Sequence, residues 1–377
     1  MKIMMNSGTV LPFFQMRRRL CDNLTEKGYE ITVSGYTEVS KELLKQYKAD
    51  YVYIPLSRVG INPVQDLKVF RTYYKKMKRE KYEIVHSYTA KPNIYGSIAA
   101  KYAGIRRIYP TVNGLGYAFT DVDTGKLKAK FVRFMVSLLY KWGFSCATKV
   151  FFQNKDDARE LIRRKIIDKR KCVLISGSGI ELEAYPYSEC FVTPMVFLTA
   201  TRLLVTKGVR EFCEAARIVK RKYPGAVFRL AGALDDNPDS ISQRELNYYV
   251  KEGIIQYLGE VSDMPSVLKN CSVFVLPSFY REGIPHVILE AMSVGRAVIT
   301  TDSPGCRETV RRTDDTGKGK NGFLIPVKDS QILAEKMIWM IEHTDRVKEM
   351  GKESRRYAEE RFDVEMVNKV MLETMEI

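Results

Sequence analysis

The chain has 377 residues, 45% of them hydrophobic and 28% charged, with a formal net charge of +16. That length exceeds one ordinary core and suits two domains, and no run reaches the roughly 20 apolar residues of a membrane span. Seven singly spaced cysteines and only three histidines argue against a disulfide framework or a zinc site, and for reduced thiols in the cytoplasm.

Before the first apolar run stands only Lys2, so no export signal is expected. Strands at Lys2–Met5 and Ile31–Gly35 flank a helix over Pro12–Lys27. Ala49–Pro55 and Ile84–His86 read as further strands, separated by a basic helix at Leu67–Lys81. A helix at Asn93–Ala103 and a strand at Arg107–Val112 follow. Then come a helix at Lys126–Phe144, a strand at Val150–Gln153, a helix at Asp156–Arg164 and a strand at Lys171–Ile175. Gly177 to Thr193 breaks the alternation and reads as a link.

The second half repeats the style. Strands are expected at Met195–Ala200, Val227–Ala231, Ile255–Leu258, 272–277 and Ala297–Thr301. Between them lie helices at Lys207–Lys222, Ser240–Lys251, Met264–Asn270 and 285–294, with closing helices at 330–343, 345–360 and 363–375. This alternation predicts an α/β chain of two doubly wound Rossmann-like domains facing across a cleft. The expected division is 1–178, 179–360 and a C-terminal helix within 361–377 that packs back towards the first domain.

Charge is split unevenly. Residues 1–190 hold 34 Lys and Arg against 18 Asp and Glu, whereas residues 191–377 hold 27 of each. A basic half of this kind ordinarily faces an anionic membrane or nucleic acid. Lys126, Lys128, Lys130, Arg133 and Lys141 are interleaved with Phe131, Phe134, Met135, Leu138, Leu139, Trp142 and Phe144, a mixture suited to a helix at a membrane interface or to an amphipathic core helix.

Glu282 and Glu290 stand eight apart where an apolar strand meets a helix. Pro285 suits the first helical position, and the free amides of that turn form an anion site. Glu290 lies roughly 7–8 Å along the helix, about the step from a nucleotide's phosphates to its ribose, whose diol a carboxylate can bind. Arg202 and Lys207 bracket the turn that leaves the first strand of the second half, where two cations could neutralise a diphosphate. Gly8 ends the first strand and allows close backbone approach, but the three-glycine dinucleotide fingerprint is absent. His86 ends a strand and could hydrogen-bond an acceptor hydroxyl; Asn113-Gly-Leu-Gly116 forms a tight loop after another. Asp121-Val-Asp123 imitates a metal-binding Asp-x-Asp and is read as coincidence beside its lysines.

In order, Ala200-Thr-Arg-Leu…Lys207-Gly, Tyr257-Leu-Gly-Glu-Val-Ser-Asp263 and Pro277-Ser…Glu282-Gly-Ile-Pro…Glu290-Ala-Met…Gly295 resemble the retaining glycosyltransferases of family 4, which have the GT-B fold. Lys91-Pro-Asn-Ile-Tyr-Gly96 and Asn113-Gly-Leu-Gly-Tyr117 resemble the bacterial members that extend sugars on undecaprenyl diphosphate. The resemblance implies a UDP-sugar donor, a polyprenyl-diphosphate-linked acceptor, N-acetylhexosamine as a candidate sugar, and no cofactor or metal. It assigns the donor diphosphate to Arg202 and Lys207, with the segment Ile284, Pro285, His286 and Val287 on the distal phosphate through the amides it has, Pro285 having no N–H. Glu290 would hold the ribose, Glu282 the transferred sugar, Gly259 and Asp263 the base, and Gly8 the closing loop. His86, Lys91 and Asn113 are the acceptor-side candidates; Asn113 stands where many members have a histidine, and can only hydrogen-bond. Peripheral attachment to the inner face of the membrane through the basic half follows, with no nucleic-acid partner. A soluble acceptor or UDP-sugar epimerisation is the alternative, and nucleic-acid binding a remote one.

Overall fold

A computed structural model describes residues 1–57, 62–116, 119–120, 126–313 and 317–377, the side chains of 126–129 excepted. Tyr117, Asp121 and Asp123 lie outside the described residues, as do the side chains of Lys126 and Lys128. The chain forms two compact units, Met1–Gly179 with Val364–Ile377, and Ile180–Asp363.

The first unit runs β1 (Lys2–Asn6), α1 (Leu11–Glu26), β2 (Glu30–Gly35), α2 (Lys41–Gln46), β3 (Ala49–Tyr53), α3 (Pro63–Glu80), β4 (Ile84–Tyr88), α4 (Ser97–Ala103), β5 (Arg107–Val112), α5 (Lys126–Cys146), β6 (Val150–Phe152), α6 (Lys155–Arg163) and β7 (Cys172–Leu174). Its seven strands are parallel, in the order β3-β2-β1-β4-β5-β6-β7. Successive residues of β1 serve opposite faces: Met4 joins one apolar cluster, Ile3 and Met5 the other. An all-apolar strand is stable only with both faces covered, as the helices here cover them.

The second unit runs β8 (Val196–Ala200), α7 (Val209–Lys222), β9 (Val227–Ala231), α8 (Gln243–Lys251), β10 (Gln256–Gly259), α9 (Met264–Lys269), β11 (Val273–Leu276), α10 (His286–Val294), β12 (Ala297–Thr301), β13 (Lys318–Gly319), β14 (Gly322–Ile325), α11 (Ser330–Glu342) and α12 (Thr344–Arg361). The order is β10-β9-β8-β11-β12-β14-β13, parallel except for the β13–β14 pair. Both sheets reverse their strand order beside their first strand, between β1 and β4 and between β8 and β11. Those reversals open crevices at the strands' carboxyl ends.

Three elements differ from expectation. Helix α2 is short and set by Ser40, whose hydroxyl caps the Leu43 amide. Strand β14 pairs in parallel with β12 across a long loop, and its four residues carry no periodic signal of their own. The expected helix at Asn93–Ala103 opens with a π-helical turn, Pro92–Gly96, before α4.

The segment expected as a link is pinned rather than free. Buried Arg296 donates to the carbonyls of Ser188 and Glu189, and Arg355 to those of Leu182 and Tyr185. The last helix, α13 (Val364–Met375), belongs to the first unit, where Val367, Met371, Leu372 and Met375 complete the cluster around Phe13, Phe14 and Leu20. Among the described residues, no helix is long and apolar enough to cross a membrane.

The chain has two tryptophans, Trp142 in α5 and Trp339 in α11, one per unit. Met371→Ala should destabilise the first unit by about 2–5 kcal/mol, the cost of a buried cavity. Single-tryptophan forms followed in urea should show the Trp142 transition moving further than the Trp339 transition.

Candidate functional site

The site grows from the two loops that flank the strand-order reversal of the second unit. The β8 loop ends at Gly208, held at φ +78 against Pro277, whose carbonyl oxygen would lie 2.1 Å from any added Cβ. Only glycine tolerates both that conformation and that approach. From the other side, the amides of Phe279 and Tyr280 both donate to the Thr206 carbonyl at 2.9 Å. The two loops are thereby fixed on each other.

That contact brings Lys207 and Glu282 together. Lys207 Nζ lies 2.6 Å from Glu282 Oε2, and each side chain is only 12% exposed. The other carboxylate oxygen accepts from Ser278 Oγ at 2.7 Å. Tyr280 presents its ring 5.3 Å from the Lys207 ammonium. Cys306 is buried nearby, and burial, followed by the Glu282 charge, pushes its thiol up to about 11, so it stays protonated and inert.

Helix α10 leaves the same loop. Pro285 is its cap residue (φ −63, ψ 113) and His286 its first helical residue, one position later than expected. The Ile288 amide donates to the Pro285 carbonyl at 3.1 Å, and a helix N-terminus of this kind carries the positive end of the helix dipole. Ile284 and Pro285 are buried, while His286 and Val287 are half-buried. At the next turn Glu290 Oε1 receives two donors, His286 Nδ1 at 2.9 Å and Tyr185 Oη at 3.0 Å.

The remaining candidates are less united. Arg202 is exposed and donates to Asp235 at 3.0 Å, beyond the end of β9, rather than joining the Lys207–Glu282 cluster. Gly259 adopts φ +70 at the end of β10, and its carbonyl accepts from the Gly232 amide at 2.7 Å. Asp263 caps α9 through the Ser266 amide. In the first unit, half-buried Gly8 follows β1 and lies beside Tyr36 and Thr89 at that sheet's own reversal. Exposed Asn113 accepts from Gln153 at 3.2 Å. Lys91 is held by Asp66 at 2.8 Å and Ser57 at 2.7 Å, and Tyr95 shares the same carboxylate.

His86 needs correction as an acceptor contact. It is fully buried, with Nε2 2.8 Å from Thr111 Oγ1 and Nδ1 3.3 Å from the Tyr88 hydroxyl. Burial first, and then the nearby Arg17 charge, hold its pKa well below the usual histidine value, so it is a neutral core residue. All five residues of β4 are buried because both faces of the sheet are covered, so His86, third of the five, is enclosed whichever face it serves. Ser278 and Tyr280, one on each side of Phe279 in the expected loop, were not singled out. Tyr185 lies 105 residues before Glu290, a separation that no local pattern bridges.

Residues 188–357 match the family described as Glycosyl transferases group 1, and residues 10–154 match that described as Glycosyl transferase 4-like. The chain is 32% identical over 343 residues to the N,N'-diacetylbacillosaminyl-diphospho-undecaprenol alpha-1,3-N-acetylgalactosaminyltransferase of Campylobacter jejuni, covering 87% of this chain and 86% of that one. It is 30% identical over 294 residues to the UDP-Gal:alpha-D-GlcNAc-diphosphoundecaprenol alpha-1,3-galactosyltransferase of Escherichia coli, covering 74% and 71%. Among solved structures, Anabaena Alr3699/HepE in complex with UDP-glucose superposes with a TM-score of 0.77 at 20% identity, over 100% of this chain and 99% of that one.

Removing one member of a nearly buried ion pair strands the other. Lys207→Met should therefore destabilise the second unit by about 3 kcal/mol, and Lys207→Met/Glu282→Gln should recover most of that loss. Urea denaturation read at Trp339 measures both.

Proposed function

The chain belongs to the group 1 glycosyl transferases, with the GT-B fold, and from that premise we propose a retaining, metal-independent transfer of a sugar from a UDP donor to a polyprenyl-diphosphate-linked saccharide. The observation that carries this reading is the Lys207–Glu282 pair beside the N-terminus of α10. The cation and the helix amides suit a diphosphate, and the carboxylate suits the hydroxyls of the sugar attached to it. Arg202, released from Asp235, would add a second cation. Glu290 would hold the ribose, and the Gly259–Asp263 turn would border the base. On the first unit Gly8, Lys91 and Asn113 remain the donor-closing and acceptor-side candidates.

The chemistry proposed is a front-face displacement. The bond between the anomeric carbon and the diphosphate oxygen breaks while the acceptor hydroxyl attacks from the same face. The negative charge developing on the diphosphate is stabilised by Lys207, Arg202 and the α10 amides, which supplies fixed electrostatic stabilisation in place of a metal. The acceptor's proton passes to the departing phosphate oxygen. Both relatives are named for alpha-1,3 links, and a UDP-hexose ordinarily carries its sugar in the α configuration, so an α product here means retention.

Transfer should survive EDTA and yield the α anomer by proton NMR. Glu282→Gln should lower kcat by at least about a hundred-fold, the usual order for loss of a transition-state contact. Wild-type activity in that variant would remove Glu282 from the site. Isomerised UDP-sugar formed without any acceptor would move the reading to an epimerase.

We further propose that the first unit rests on an anionic membrane, through α5. Phe131, Phe134, Leu138 and Trp142 are 65%, 59%, 47% and 51% exposed, and their spacing of three and four residues sets them along one stripe. Tyr140 and Phe144 of the same helix are buried in the core, so the helix is apolar on two sides. Exposed Lys130 and Lys141 flank the stripe, and neighbouring helices add exposed Val64, Leu67, Lys68, Arg71, Lys101 and Tyr102. Aromatic bulk among lysines matches the interface between headgroups and acyl chains.

Replacing all four stripe residues by Ser should weaken binding to vesicles containing anionic lipid by more than about ten-fold, given roughly 1.5–3 kcal/mol per fully buried large side chain. Transfer to a short-chain, water-soluble acceptor should persist. Sedimentation with vesicles and a product assay separate the two effects.

A further inference from the structure

The carboxylate proposed to meet the ribose does not stand alone. Glu290 Oε1 accepts two hydrogen bonds, from His286 Nδ1 at 2.9 Å and from the Tyr185 hydroxyl at 3.0 Å. Oε2 has no hydrogen bond to a described residue. His286 is one turn away on the same helix, so its contact follows from helical spacing. Tyr185 comes from the segment that enters the second unit, and nothing in helix geometry requires it there.

That segment is held firmly. The Tyr185 carbonyl accepts from Ser293 Oγ on α10 at 2.8 Å and from Arg355 on α12 at 3.1 Å. The same guanidinium group donates to the Ser293 carbonyl at 2.9 Å and to its hydroxyl at 3.1 Å. A chain of contacts therefore runs from α12 through the backbone of residue 185 to its hydroxyl, and thence to Glu290. Burial, followed by the Glu290 charge, raises the Tyr185 pKa, so the hydroxyl remains a donor at any ordinary pH.

We infer that Tyr185 is a positioning residue for the nucleotide's ribose: it ties down one oxygen of Glu290, aims the other at the sugar diol, and thereby sets selectivity for a ribonucleotide donor. This rests on the nucleotide-sugar reading given above. Without the tie, Glu290 could rotate about its terminal bonds, and each ligand would have to order it anew. The effect belongs to the ribose hydroxyls and to nothing else in the donor.

The test is a binding cycle by calorimetry, with wild type and Tyr185→Phe each titrated with UDP and with 2′,3′-dideoxy-UDP. The substitution should weaken UDP by about five-fold and the dideoxy nucleotide by less than about two-fold, a coupling of ordinary size for groups in contact. In kinetics the donor KM should rise while kcat holds. On a Glu290→Ala background, Tyr185→Phe should change nothing further. Equal weakening of both nucleotides, or of neither, overturns the positioning role. An additional loss on the Glu290→Ala background overturns it too, by making Tyr185 a direct ribose contact. If wild type binds no uridine nucleotide, the proposed function falls with it, and the two failures are thus distinguishable. Melting temperatures guard against a folding defect; should Tyr185→Phe prove unstable, His286→Leu removes the companion donor and must show the same preference for UDP.

Discussion

The second unit depends on a topological constraint: its strand order reverses between β8 and β11. Parallel strands on either side of a reversal send their loops in opposite directions, so no helix fills the space at their carboxyl ends. Here the space is closed by the loops themselves, locked by Gly208 on Pro277 and by two amides on the Thr206 carbonyl. Lys207 and Glu282, separated in the chain by three helix–strand units, face each other because those backbones touch. A lone ammonium or carboxylate this far from water would be costly, and the pairing satisfies both.

The architecture was legible because parallel strands buried on both faces read as short apolar runs, and helices between them as periodic ones. β8, β9, β11 and β12 fall where those runs lie. β14 was not legible, since Gly-Phe-Leu-Ile is too short to announce itself and gains its place from pairing with β12. Lys207 and Glu282, which the structure pairs, stand in loops at element junctions where the sequence marks them, and Glu290 lies within α10, eight residues after Glu282. The partners that orient them were not legible. Ser278 and Tyr280 sit in a loop without periodicity, and Tyr185 acts across a distance in sequence that only tertiary packing spans. His86 illustrates the converse: read as the end of a strand it looks functional, but β4 runs on to Tyr88 and is buried on both faces, so the ring lies in the core.

The two units differ in charge and in apolar exposure. The excess of Lys and Arg lies in residues 1–190, as do the aromatic residues left uncovered on α5. In residues 191–377 acidic and basic residues balance. The unit that holds the Lys207–Glu282 pair is therefore nearly neutral, and the unit that bears the exposed α5 stripe is the basic one. In the first unit, Lys91 donates to Asp66 and Ser57, and Tyr95 donates to the other oxygen of the same carboxylate.

The return of α13 to the first unit has a bearing on how the protein is made. A ribosome delivers residues 1–179 first, yet the apolar cluster around Phe13, Phe14 and Leu20 lacks Val367, Met371, Leu372 and Met375 until the whole second unit has been made. The second unit, contiguous from Ile180 to Asp363, is whole before the first can be. The nascent N-terminal half must therefore wait with an open apolar face, the condition in which chaperones bind and aggregation begins.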